Sequence, residues 1–133
     1  MKTFTFNKQE RLKSRKLIEQ LFSDGQGFSI FPLKVLYAFT QLSTEGPLQA
    51  SVSVSSRNFK KAVDRNRIKR QLREVYRLQR GDLSQQIAEV NKQLALFFIY
   101  TGKELPGYND LLGKMKKTLS RLQDIVANNQ KID

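Results

Sequence analysis

Cations are concentrated between Arg57 and Arg80, and they are the residues of this sequence that could carry chemistry. Ten of these 24 residues are Lys or Arg and only Asp64 and Glu74 are acidic, so the stretch holds +8 of the net charge of +12. Four of the cations recur at every fourth residue and form one row along a helix, namely Arg65, Lys69, Arg73 and Arg77. Because like charges at this spacing repel each other, the row indicates a polyanionic partner whose phosphates neutralise it.

A solubilising surface and a membrane-surface helix both account less well for the basic row. A helix face that only keeps a protein soluble usually mixes both signs of charge. A helix that lies on a membrane surface needs a broad apolar face with large aromatic residues. The apolar stripe here is narrow and is needed to cover the core; it consists of Ile68, Leu72, Val75 and Leu78. Nucleic acid is therefore the expected partner, and neither a membrane nor a small-molecule substrate is expected.

The residue types that are absent exclude most catalytic chemistry by the protein itself. The 133 residues contain no His and no Cys, which excludes a Ser-His triad, a thiol nucleophile, a zinc-thiolate site and a disulfide framework. Two-metal nucleases need several converging carboxylates, whereas Asp64 and Glu74 are ten residues apart. We therefore expect no catalytic residue and no metal ligand in this chain.

The elements that position the cations form a single domain over residues 1–133, with an ordered core of about 11–127 and a polar tail at 128–133. Apolar spacing and turn residues predict helices over 14–23, 60–80 and from about 109, and strands over 33–41, 49–56 and 94–100. Ser14 and Gly25 would cap the first helix, and Asn109 or Asp110 the last. A weaker signal predicts a strand over 27–30. This order, α-β-β(-β)-α-β-α, is typical of an α+β fold, a two-layer α/β sandwich.

The strands at 33–41 and 49–56 are expected to pair as an antiparallel hairpin around the turn Glu45-Gly46-Pro47. This pairing would place the larger side chains of the first strand beside the serines of the second, that is Val35, Tyr37 and Phe39 beside Ser51, Ser53 and Ser55. The other face would be the core surface, with Leu36, Ala38, Val52 and Val54. Aromatic rings beside small hydroxyls suit single-stranded RNA. The alternative is that the rings belong to the core, which we favour for Phe39 and leave open for Tyr37.

The segment from Ala62 to Glu74, AVDRNRIKRQLRE, resembles the signature of the protein subunit of bacterial ribonuclease P, whose centre is an Arg-Asn-Arg motif. The resemblance continues in family order over about residues 11–126. It implies an α/β sandwich with a left-handed βαβ crossover. It also implies a protein that joins a catalytic RNA, which hydrolyses one phosphodiester of precursor tRNA with RNA-bound Mg²⁺ and releases the 5′ leader.

The resemblance further implies which side chains contact RNA. The catalytic RNA would contact Arg65, Asn66, Arg67, Lys69, Arg70 and Arg73, and the cations that precede them extend this set by Arg57, Lys60 and Lys61. The leader would lie in a cleft lined by Ile18, Phe22, Val35, Tyr37 and Ser53. Two positions depart from the family pattern, because Ser56-Arg57 stands where a Lys-Lys pair is frequent and Ile18 where an aromatic residue is frequent.

The sequence thus predicts an RNA-binding subunit of an endoribonuclease that matures the 5′ ends of tRNA, with the protein supplying binding and the RNA supplying the chemistry. The alternative is a ribosomal-protein-like rRNA-binding protein, which needs the basic helix but no leader cleft. A reader of double-stranded DNA is disfavoured, because a strand and not a helix-turn-helix precedes the basic helix. We expect a soluble, cytoplasmic protein, because no secretory signal is evident and the longest apolar run, Leu94–Tyr100, is only seven residues.

Overall fold

A computed structural model describes residues 11–42 and 46–132, with side chains described as far as residue 128. Its elements are α1 (Arg15–Asp24), β1 (Gln26–Ile30), β2 (Leu33–Phe39), β3 (Leu48–Val54), α2 (Ala62–Gln79), α3 (Gly81–Glu89), β4 (Leu94–Tyr100) and α4 (Tyr108–Ile132). The predicted α+β class and element order are confirmed, and α3 occupies the connection after the basic helix. Residues 1–10 and part of the predicted turn at Glu45-Gly46-Pro47 lie outside the described residues.

The four strands form one sheet in the order β1-β2-β4-β3. β4 lies between β2, to which it is antiparallel, and β3, to which it is parallel. The predicted hairpin between β2 and β3 is therefore wrong. The physical reason is that β4 is apolar on both faces and takes an interior position with two neighbours, whereas a hairpin of β2 and β3 would have displaced it towards an edge.

Helices cover the two faces of this sheet unequally. α2, α3 and α4 pack on one face and enclose the main core, in which Ile68, Phe98 and Met115 are fully buried. On the other face α1 is the single helix among the described residues, and its Leu21 packs against Leu36 and Phe97 in a second, smaller cluster. This asymmetry leaves part of the second face accessible.

The ends of α1 follow the predicted capping pattern, whereas the start of α4 does not. The Ser14 hydroxyl accepts a hydrogen bond from the Leu17 N–H at 3.3 Å. The Gly25 N–H donates to the carbonyls of the last turn, and a Cβ at Gly25 would lie 2.5 Å from the Leu21 oxygen. In α4 the first helical bond runs from the Leu111 N–H to Gly107, so Asn109 and Asp110 lie inside the first turn and the predicted cap is wrong. α4 also continues to Ile132, beyond residue 127.

Candidate nucleic-acid interface

α2 separates its apolar and its charged side chains on opposite sides. Ile68, Leu72 and Val75 are buried against the sheet and α4, because they recur at intervals of three or four residues on one side of the helix. Arg67 and Arg70 are exposed on the other side. The buried stripe therefore fixes the direction in which the cationic side of α2 faces.

The cations at the carboxyl end of α2 are satisfied within the protein. The Arg77 guanidinium forms an ion pair with the Glu74 carboxylate at 2.8 Å. The Arg80 Nη1 donates to the Arg77 carbonyl at 2.6 Å. Arg77 therefore differs from the rest of the predicted row, since its charge is already opposed by an acid.

The cations of α2 that precede Glu74, and those of the segment before the helix, are arranged differently. Arg65 donates from Nη1 to the carbonyls of Phe59 and Lys60, at 2.7 and 2.9 Å. Among the described residues, the side chains of the other predicted cations have no hydrogen bond or ion pair; they are Arg57, Lys60, Lys61, Arg67, Lys69, Arg70 and Arg73. Asn66 is exposed among them. This end of the helix therefore presents a set of cations without acidic partners.

Arg73 lies at the edge of this set, close to another cation, Arg11. Leu12 donates its N–H to the Ala50 carbonyl at 2.9 Å, so the chain at residues 11–12 runs along the outer edge of β3. Burial, together with repulsion from the Arg11 guanidinium, lowers the pKa of Arg73 below its ordinary value. The positive charge of Arg73 is thus less well stabilised than that of a solvated guanidinium, and a neighbouring phosphate would stabilise it.

The segment that joins β3 to α2, residues 55–61, is the basic loop of this interface. It leaves the carboxyl end of β3, next to the point where the parallel strand β4 also ends. The basic loop and the segment after β4 enclose a surface groove of about 960 Å³, lined by Ser55, Ser56, Arg57, Asn58, Thr101 and Lys103. Crevices at the carboxyl ends of parallel strands are common ligand sites. Arg57 and Lys103 are exposed and give this groove a positive charge.

On the face of the sheet that carries α1, side chains in register form two rows across the strands. One row runs through Ser29, Lys34, Ile99 and Ser53, and the other through Gly27, Leu36, Phe97 and Ser51. α1 packs on the second row, whereas in the first row Lys34 is exposed and Ile99 and Ser53 are half-buried. The first row is therefore open, and its Ser53 end lies two residues before the basic loop.

Phe22, on α1, contacts the second row, which lies next to the open row. Its ring is 58% exposed and contacts the ring of Phe97 edge to face, with centroids 5.2 Å apart. Ile18, one turn earlier in α1, is half-buried against the same cluster. We call the surface formed by Ile18, Phe22 and the row from Lys34 to Ser53 the sheet cleft.

The structure separates the five predicted cleft residues. Ile18, Phe22 and Ser53 lie on the side of α1, whereas Val35 and Tyr37 lie in the main core on the opposite face. Val35 is 0% and Tyr37 is 9% exposed, and the Tyr37 hydroxyl donates to Gln26 Oε1 at 3.1 Å. The predicted shared face is therefore wrong.

The cause of this error is the pairing of β2. β4 aligns Val35 with Phe98 and Tyr37 with Leu96, and both of these partners point into the main core. A change in pairing transfers every second side chain to the other face. The prediction that Phe39 belongs to the core is confirmed.

Sequence reasoning missed two cleft residues, Lys34 on β2 and Ile99 on β4. β4 is apolar on both faces, so its pattern does not indicate which residues face α1. The signal that could have identified them is the regular serine alternation in β3. Once β3 and β4 are taken as parallel neighbours, Ser51 and Ser53 align with Phe97 and Ile99.

The described part of the chain lacks both a cluster of metal ligands and a membrane-spanning helix. In residues 11–42 and 46–132, no three His, Cys, Asp or Glu side chains converge to hold a metal ion. The same residues include no helix with the length and apolar character needed to cross a membrane.

Comparison with known proteins agrees with this arrangement of elements. The sequence profile of the family Ribonuclease P matches residues 6–123. A ribonuclease P protein component from Porphyromonas gingivalis is 34% identical over 120 residues, covering 90% of this chain and 88% of the relative. One from Chlorobium phaeobacteroides is 27% identical over 129 residues, with the same coverage of both chains.

Solved structures share the fold. The ribonuclease P protein from Thermotoga maritima superposes with a TM-score of 0.65 at 22% identity, covering 84% of this chain and 96% of that one. The protein from Staphylococcus aureus gives a TM-score of 0.63 at 16% identity, covering 86% and 96%. The match over nearly the whole sequence, together with the shared fold, shows that this chain belongs to the ribonuclease P protein family.

Proposed function

We propose that this chain is the protein subunit of a ribonucleoprotein that removes the 5′ leader from precursor tRNA, and that it binds both the catalytic RNA and the leader. The observation that carries the proposal is the set of unpaired cations on the basic loop and the first turns of α2, within the described residues. The set adjoins the Ser53 end of the sheet cleft. The names of the related proteins, ribonuclease P protein component, support the same role.

The cations supply the electrostatic part of this role. Arg57, Lys60, Lys61, Arg67 and Arg70 are exposed, and no acid opposes them among the described residues. Two RNA chains that approach each other repel through their phosphates, and each neutralised phosphate releases counterions. The protein would therefore favour assembly of the catalytic RNA with its substrate. In this proposal Mg²⁺ belongs to the partner RNA, where it supplies the hydrolytic chemistry.

The sheet cleft supplies the contact with the leader. Phe22 offers an exposed ring on which a base can stack, Ser53 offers a hydroxyl, and Lys34 offers a cation on the same surface. Stacking accepts any base, because every base has a π face. Such a surface suits a single strand whose sequence differs from one precursor to the next. A product without the leader would lose these contacts and dissociate more readily.

Reconstitution tests the proposal directly. A bacterial ribonuclease P RNA and a 5′-labelled precursor tRNA are incubated at low Mg²⁺ with and without the purified chain. We expect the chain to increase the rate of leader removal and to bind the precursor more tightly than mature tRNA. Binding of structured RNA without any preference for the leader would instead identify an rRNA-binding protein, and absence of both effects would refute the proposal.

A further inference from the structure

The side chain of Arg65, the first residue of the Arg-Asn-Arg motif, is directed back towards the backbone of the basic loop. Its Nη1 donates to the Phe59 carbonyl at 2.7 Å and to the Lys60 carbonyl at 2.9 Å. Both bonds come from one nitrogen, so they hold two successive carbonyls at one point. Arg67, two residues later, is exposed and has no such bond within the described residues.

These two carbonyls have no partner in the helix itself. The first helical bond of α2 runs from the Arg65 N–H to the Lys61 carbonyl, so the carbonyls of Phe59 and Lys60 precede the helix. Lys61 occupies the N-cap position with extended backbone and has no side-chain capping bond. A lysine side chain carries no acceptor for the free N–H groups. The Arg65 guanidinium therefore orders a helix entrance that lacks a conventional cap.

The first part of the basic loop, residues 55–59, is attached to the end of β4 and to the segment that follows it. The Asn58 Nδ2 donates to the carbonyls of Thr101 and Gly102, at 3.3 and 3.2 Å. The ring of Phe59 is buried and lies 6.0 Å from that of Tyr100. The bonds from Arg65 begin where these contacts end, at Phe59 and Lys60. Loss of the Arg65 bonds would therefore free Lys60 and Lys61, the two residues that follow Phe59, and would leave residues 55–59 in place.

We propose that Arg65 is a positioning residue, which holds Lys60 and Lys61 in the geometry that binds RNA phosphates and acts mainly through them. The inference rests on the proposed function, because it assigns a role within that RNA-binding surface. Both lysines are exposed and have no acidic partner among the described residues. An ordered backbone presents these long side chains with less conformational entropy to lose on binding.

The test is a double-mutant cycle on the full-length chain with the catalytic ribonuclease P RNA as the probe. Arg65→Ala and the matched control Arg67→Ala are each made in the wild-type chain and in a Lys60→Ala/Lys61→Ala chain. We expect Arg65→Ala to weaken the affinity of the wild-type chain for the RNA. In the Lys60→Ala/Lys61→Ala chain, the loss of affinity caused by Arg65→Ala should be smaller by a factor of about two to ten, because the effects of residues in one network are not additive. The effect of Arg67→Ala should be the same in both.

A second measurement uses the free protein and does not depend on RNA binding. Backbone ¹⁵N order parameters at Lys60 and Lys61 should fall in Arg65→Ala and stay unchanged in Arg67→Ala. A general loss of stability would lower affinity equally in both chains, so it would not reproduce the coupling. Should Arg65→Ala not fold, Arg65→Lys replaces it, because it keeps the charge and loses the guanidinium.

Unchanged order parameters together with additive effects on affinity would overturn the positioning role and identify Arg65 as a direct phosphate contact. Full retention of affinity by Arg65→Lys, with unchanged order parameters, would do the same. If the wild-type chain bound no RNA, the proposed function would fail, whereas the order parameters would still decide whether Arg65 holds the loop.

Discussion

Replacement of Phe22 by Ala tests the sheet cleft most directly. The ring is 58% exposed, and its described aromatic contact is with Phe97. If one leader base stacks on the ring, its removal costs about 1–3 kcal/mol of binding free energy. That loss corresponds to a rise of about 5- to 150-fold in the Kd for the leader-bearing precursor.

The same substitution should change the stability of the fold only modestly. An edge-to-face pair contributes about 0.5–1.5 kcal/mol beyond its buried area, and most of the Phe22 ring is in contact with solvent. Phe97 is buried, so Phe97→Ala would cost about 3–5 kcal/mol and would confuse unfolding with loss of binding. Phe22 is therefore the cleft aromatic at which binding can be separated from folding.

The assay compares precursor tRNA with mature tRNA, each bound to the complex of the catalytic RNA and the protein. Phe31→Ala is the matched control, because this ring is 71% exposed but lines a groove with Leu111 and Lys114 on the side of α4. We expect Phe22→Ala to weaken only the precursor and Phe31→Ala to weaken neither. An equal loss for precursor and mature tRNA, or an equal loss in both variants, would refute a leader contact at Phe22.

Three further substitutions test other parts of the structure. Tyr37→Phe removes the hydrogen bond to Gln26 and should lower the free energy of unfolding, measured in urea, by about 0.5–1.5 kcal/mol. A selective loss of precursor binding in this variant would instead indicate that Tyr37 contacts the leader. Arg67→Ala should reduce the slope of log Kd against log salt by about 0.7–0.9, and an unchanged slope would mean that this side chain contacts no phosphate. Glu74→Gln removes a partly exposed ion pair with Arg77, so the free energy of unfolding, measured by thermal denaturation, should change by no more than about 1 kcal/mol. RNA affinity at low salt should rise in this variant, and a fall would indicate that Arg77 needs its partner.

The helices could be predicted from the sequence because their signals are local. Ser14 and Gly25 bracket four apolar residues at helical spacing, and they cap α1 as expected. The stripe through Ile68 and Leu72 likewise predicts α2 and identifies its buried side. A helix satisfies most of its backbone bonds within a few residues, so short-range patterns suffice to find it.

Strand pairing could not be predicted in the same way, because it joins residues that are distant in the sequence. Ser53 lies opposite Ile99, which is 46 positions away, and the wholly apolar pattern of β4 is compatible with either face. The assumed hairpin therefore assigned Val35 and Tyr37 to the wrong surface. Phe22 and Ile18 belong to α1 itself, so their position does not depend on strand pairing. They lie on the sheet face that α1 covers.

The division of α2 into a buried side and a cationic side explains how the helix tolerates its charge. Ile68, Leu72 and Val75 are completely buried, and each contributes about 1.5–3 kcal/mol to folding. Repulsion between cations at i and i+4 costs only about 0.2–0.5 kcal/mol per pair. Packing therefore outweighs repulsion several-fold, so the fold needs no acids beside Lys69 or Arg73. Because the charge stays unpaired, it is available to phosphate, and bound RNA would remove the remaining repulsion. RNA binding and folding of α2 would thus reinforce each other.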